Sequence, residues 1–91
     1  MTTFTINTGT ANYDAVNVGD GAADIEVYGA WYGATLYLEV LSLDGTTWLP
    51  LESYAGDSVD VLFFSKERQI RWRRSGGDTG GTTALKGAIA P

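Results

Sequence analysis

The sequence predicts an all-β fold, a single-domain β-sandwich of about eight antiparallel strands over residues 1–91, wired either as a jelly roll or in an immunoglobulin-like order. Three observations carry that reading. Short apolar and polar alternations recur along the chain, turn signals separate them at intervals of about 8 to 12 residues, and no window repeats its apolar residues at helical spacing. A chain of 91 residues supports one core, and its eleven aromatic residues supply much of the area to fill it.

The first strand is expected over Thr3–Asn7, with Phe4 and Ile6 inward, ended by Thr8-Gly9-Thr10. A polar loop through Asn12 leads to Ala15–Val18, where Val16 and Val18 share a side, and Gly19-Asp20-Gly21 turns the chain. Asp24–Tyr28 then sets Ile25 and Val27 against Glu26 and Tyr28. Trp31 and Tyr32, framed by Gly29 and Gly33, mark a bend.

Residues 33–53 read as a long hairpin turning on Asp44-Gly45, a dipeptide suited to the positive φ angles of a two-residue type I′ turn. In that register Trp48 faces Leu41, Leu49 faces Val40 and Leu51 faces Leu38. One face then carries Leu36, Leu38, Val40, Leu49 and Leu51, and the other Tyr37, Glu39, Leu41, Trp48, Pro50 and Glu52. After a turn at Ala55-Gly56-Asp57, Ser58–Phe64 alternates, with Val59, Val61 and Phe63 expected inward and Leu62 and Phe64 on the opposite face. Lys66–Arg74 places Arg68, Ile70, Trp72 and Arg74 on one side and Glu67, Gln69, Arg71 and Arg73 on the other. A mobile glycine-rich loop over 75–81 precedes a last strand, Thr82–Ala90, built on Leu85, Gly87 and Ile89.

Composition narrows the function. The net charge of −5 argues against a nucleic-acid binder, whose affinity comes from neutralising phosphates. With neither Cys nor His, the chain has no disulfide or zinc staple and lacks the usual nucleophile and general-base pairs, so no enzymatic activity and no cofactor are expected. Asp20 with Asp24, and Asp57 with Asp60, do not match the spacing of a calcium loop and read as turn residues, so no metal is expected either. The start, MTTFTINTG, lacks the basic and apolar regions of a signal segment, and no run approaches the roughly 20 apolar residues that span a bilayer, so neither export by a signal nor a membrane is expected.

Charge is segregated. Lys66, Arg68, Arg71, Arg73 and Arg74 are five of the six basic residues, so residues 66–74 carry +4 and the rest of the chain −9. Arginine is suited to bidentate pairing with carboxylates across an interface, and the alternative partners are Glu39, Glu52 and Asp60 on neighbouring strands. Ser42–Trp48, SLDGTTW, resembles the Asp-box hairpin of sialidases, S-x-D-x-G-x-T-W, shortened by one residue between Asp and Gly. There the Asp and Thr side chains would bond the turn backbone and Trp48 would pack beneath it.

Taken together, Gly33-Ala34-Thr35, Ser42–Trp48, the Arg-rich Ile70–Arg73 and the glycine loop of Ser75–Thr83 give the chain, from about Tyr28 onward, a cadence that resembles small all-β virion proteins of tailed bacteriophages. The resemblance implies a structural protein, made in the host cytoplasm and located in the virion, that decorates or stabilises the capsid; a tail or neck adaptor is the alternative. The expected partners are further copies of the chain, a trimer being favoured, and a capsid or other virion protein. Arg71, Arg73, Tyr37, Leu41, Trp48 and Phe64 are the candidate interface, and Asp44 and Gly45 the structural turn. A carbohydrate-binding module with Trp31, Tyr32 and Trp48 as its stacking platform is the reading from another class.

Overall fold

The computed structural model describes residues 1–6, 15–76 and 85–90. Among the described residues eight strands form β1 (Thr2–Ile6), β2 (Val16–Val18), β3 (Gly21–Gly29), β4 (Thr35–Leu41), β5 (Trp48–Tyr54), β6 (Ser58–Phe64), β7 (Arg68–Ser75) and β8 (Leu85–Ala90). The loop through Asn12, most of the glycine loop and the start of the last expected strand lie outside the described residues. No helix among the described residues is long and apolar enough to cross a membrane.

The strands build two four-stranded antiparallel sheets. Sheet A has the order β1-β8-β3-β6 and sheet B the order β2-β7-β4-β5. Within them β1 pairs with β8, β2 with β7, β3 with β6 and β4 with β5, so the ladders nest around the β4–β5 hairpin. The β3–β8 and β4–β7 ladders complete the two sheets. This nested wiring is that of a jelly roll, and it settles the choice against the immunoglobulin order, in which the first strand lies beside the second.

The core lies between the sheets, where Phe4 and Ile6 of β1, Ile25 and Val27 of β3, Leu36 and Leu38 of β4, Ile70 and Trp72 of β7 and Leu85 of β8 are buried. These are the inward residues the alternation marks in each of those strands. Trp72 sits at its centre, stacked on Phe4 with ring centroids 4.7 Å apart and tilted against Tyr54 at 6.0 Å.

The β6 faces are the reverse of the expectation. Val59, Val61 and Phe63 are 82%, 58% and 76% exposed, while Phe64 is buried and Leu62 packs on the core. Residues opposite one another in a ladder point to the same side. The inward Ala23 and Ile25 of β3 stand opposite Leu62 and Asp60, so the even-numbered residues of β6 go inside. Asp60 is tolerated there because its Oδ2 accepts a hydrogen bond from the Tyr54 hydroxyl at 3.0 Å. That bond, after burial, helps push the Tyr54 phenol well above its ordinary pKa. Phe64, expected at an interface, is therefore a core residue.

The hairpin is also corrected. Its expected register holds for Leu41 with Trp48 and Val40 with Leu49, then slips at a bulge, so that Leu38 faces Glu52 and not Leu51. Pro50 has no N–H to give the ladder, and a bulged edge strand is where proline is accommodated. Leu49, in its expected pairing with Val40, and the unpaired Leu51 both lie exposed on this edge strand. The turn is not type I′. Only Gly45, at φ 78°, is left-handed, and the Ser42 and Thr47 backbones bond across an intervening loop of residues 43–46.

Asp44 closes this loop: its Oδ1 accepts hydrogen bonds from the Ser42 hydroxyl, the Thr46 hydroxyl at 2.8 Å and the Thr46 N–H at 3.1 Å. These bonds, led by that of Ser42, hold its pKa below the ordinary aspartate value of 3.8. Because the folded value is depressed, the contribution to stability is complete above the unfolded pKa and is lost as pH falls through the folded one. A carbon-detected NMR titration should place Asp44 below a reference peptide. A midpoint at or above the reference would show that the three bonds do not persist in solution.

Candidate interaction surfaces

The outer face of sheet B carries most of the residues singled out from sequence. Strand alternation turns Tyr37, Glu39 and Leu41 of β4 outward, together with Arg71 and Arg73 of β7. Across the β4–β7 ladder Glu39 stands opposite Arg71 and Tyr37 opposite Arg73. The Glu39 carboxylate accepts from both arginines, Oε1 from Arg71 Nε at 2.7 Å and Oε2 from Arg73 Nε at 3.3 Å. It is only 7% exposed because the two guanidinium groups cover it.

Each guanidinium also lies over an aromatic ring. Arg71 Cζ is 4.6 Å from the Trp48 centroid, and Arg73 Cζ is 4.3 Å from that of Tyr37. The result is one row, Trp48, Arg71, Glu39, Arg73, Tyr37, running across three strands. The carboxylate facing both arginines thus belongs to the chain itself. Yet the bonds to Glu39 use one N–H of each guanidinium, which has five. The side chains of Arg71 and Arg73 remain 27% and 40% exposed, so the row keeps a net positive charge with donors turned to solvent.

Trp48 is accordingly half-buried beneath Arg71 and not sealed under the turn. Trp48→Ala should cost about 1 to 2 kcal/mol, the order of a partly exposed cation–π contact plus part of an aromatic side chain's burial. Urea denaturation checks this. A cost of about 4 kcal/mol, typical of a fully buried aromatic, would show that the ring is packed as core.

The proposed sugar platform does not assemble. Trp48 pairs with Leu41 at one end of β4, whereas Trp31 and Tyr32 precede Thr35 at the other end, about 20 Å away along a seven-residue strand. Trp31 is also tied down, its Nε1 donating to Asp57 Oδ1 at 2.8 Å. Gly29 N–H donates to the same oxygen at 3.1 Å, so Asp57 has a structural task at this end of the sandwich.

Comparison of the chain with protein-family models, with curated proteins and with solved structures finds no match.

The second surface, on the outer face of sheet A, is one that sequence reasoning missed. Val59, Val61 and Phe63 form an apolar column along β6, and β3 beside it presents Asp24 opposite Val61 and Glu26 opposite Val59. On the other side of β3, Ala88 and Ala90 of β8 stand opposite Glu26 and Asp24, and the exposed Lys86 stands opposite Tyr28. The acids form no ion pair among the described residues. The local pattern of β6 pointed the other way, since its more apolar face is the one outside; the signal lay in the β3–β6 register.

Proposed function

We propose that this domain is a non-enzymatic structural protein of a virus particle, which decorates or stabilises the capsid as an oligomer of jelly rolls. The observation that carries the reading is the exposed column of Val59, Val61 and Phe63. Three large apolar side chains in a row on a regular strand are costly to leave in water, and surfaces of that kind mark contacts with other proteins. The sheet B row adds a second feature of interfaces, arginine held against aromatic rings. Neither surface has a cleft with converging acid, base and nucleophile, so both favour assembly over catalysis.

Particles purified from cells that produce the chain should contain it in amounts comparable to the major structural proteins, read by quantitative mass spectrometry. Recovery only in the particle-free fraction would sink the proposal. Phe63→Ser should leave folding stability within about 0.5 kcal/mol of the wild type, because an exposed side chain loses little on truncation. The same substitution should weaken self-association measured by sedimentation. A large loss of stability with unchanged association would mean that Phe63 is packed inside the domain.

A further inference from the structure

The two outer faces carry complementary patterns of the same spacing. On sheet A, Asp24 and Glu26 are two residues apart on one strand, each beside an apolar partner, Val61 and Val59. On sheet B, Arg71 and Arg73 are two residues apart on one strand, each beside an aromatic partner, Trp48 and Tyr37. Two residues along a strand span about 6.7 Å, so both charged pairs share one repeat. From this match we infer that the outer face of sheet A docks on the outer face of sheet B of a second copy of the chain. The inference rests on the assembly reading above and names the surfaces that assembly would use.

Docking through faces, and not by adding a strand at the β6 edge, follows from Asp60. The Val61 N–H donates to Asp60 Oδ1 at 2.8 Å, which occupies an edge amide that an incoming strand would need. The β5 edge is broken by Pro50 and the bulge at Leu51, and β2 has three residues. Either broad face also offers more area than a single strand edge. The molecule measures 39 × 26 × 17 Å, so one face exceeds the roughly 800 Å² per partner that a stable interface buries.

In the contact, the guanidinium donors left over from Glu39 meet the carboxylates of Asp24 and Glu26, which have no partner within the described chain. The Val59, Val61 and Phe63 column is covered by the aromatic and aliphatic residues of the opposing face. The short side chains of Ala88 and Ala90 leave room for the side chains standing above sheet B. Such a contact is heterologous, joining unlike surfaces, and it propagates from copy to copy as a ring or an open stack.

The test uses two variants of the full chain, each altering exposed residues on one face only. Asp24→Lys with Glu26→Lys reverses sheet A, and Ser53→Glu with Gln69→Glu adds acids to sheet B without touching the Glu39 bridges. Circular dichroism melts confirm that both fold. In low salt the wild type should sediment as oligomers, and each variant alone should show a self-dissociation constant raised about tenfold or more. An equimolar mixture should form a heterodimer, because each variant keeps the face the other lacks. Normal association of either variant, or a mixture that stays monomeric, overturns the face-to-face docking while leaving assembly by another surface open. A wild type that is monomeric throughout the accessible concentration range overturns self-assembly as well.

Discussion

Replacing Trp72 by alanine is expected to remove about 3 to 5 kcal/mol of folding stability, the range for deleting a fully buried large aromatic. Trp72 has no exposed surface and lies on β7, opposite Leu38 of β4, with Phe4 stacked on it from sheet A. Its loss opens a cavity between the sheets at the point where both rest on one ring. Small domains have a net stability toward the low end of about 5 to 15 kcal/mol, so most of it would be lost. Trp72→Phe separates packing from hydrogen bonding, since Nε1 of Trp72 has no partner among the described residues. Phenylalanine keeps a stackable ring and removes that buried donor, so its cost should stay below about 2 kcal/mol. Urea denaturation decides. A loss under about 1 kcal/mol for the alanine variant would contradict the central position of this side chain.

How much of the molecule could be read from sequence depends on what fixes each strand. Where one face is apolar and the other polar, alternation is enough: Phe4 and Ile6, Ile25 and Val27, and Ile70 and Trp72 are all buried as their patterns require. In β6 periodicity pointed the wrong way: the wholly apolar face of Val59, Val61 and Phe63 lies outside, and the face that carries Asp60 lies inside. The choice is made by the β3 ladder, a contact between residues some 40 apart in sequence. The hairpin failed locally, because a bulge at Leu51, between the Glu39–Pro50 and Leu38–Glu52 pairs, shifts every later pair by one residue and only the first part of the register survives. Of the candidate surface, Arg71 and Arg73 are on one face as the alternation demanded, and Tyr37 and Trp48 are brought beside them. What sequence left open was the identity of the carboxylate, since Glu39, Glu52 and Asp60 were equivalent until β4 was placed beside β7. Asp60 turned out to serve Tyr54 and the edge amide of Val61.

Gly87 should tolerate no side chain. It lies at the centre of sheet A, facing inward, opposite Phe4 of β1 and Val27 of β3. A methyl group there would fall well inside contact distance of the Glu26 carbonyl oxygen and of the Phe4 ring. The ring could swing away only by giving up its stacking on Trp72. The carbonyl cannot swing at all, because it belongs to the backbone of the neighbouring strand. Gly87→Ala is therefore expected at the upper end of the overpacking range, about 3 kcal/mol. For a domain of this size such a loss lowers the melting temperature by more than about 10 °C. The two clashes can be told apart by repeating the substitution in a Phe4→Leu background. Removing the ring should relieve part of the penalty and leave the part due to the carbonyl, so the double variant remains less stable than Phe4→Leu alone. If Gly87→Ala melts within a degree or two of the wild type, β8 does not lie between β1 and β3 in this register, and the wiring of sheet A would have to be redrawn.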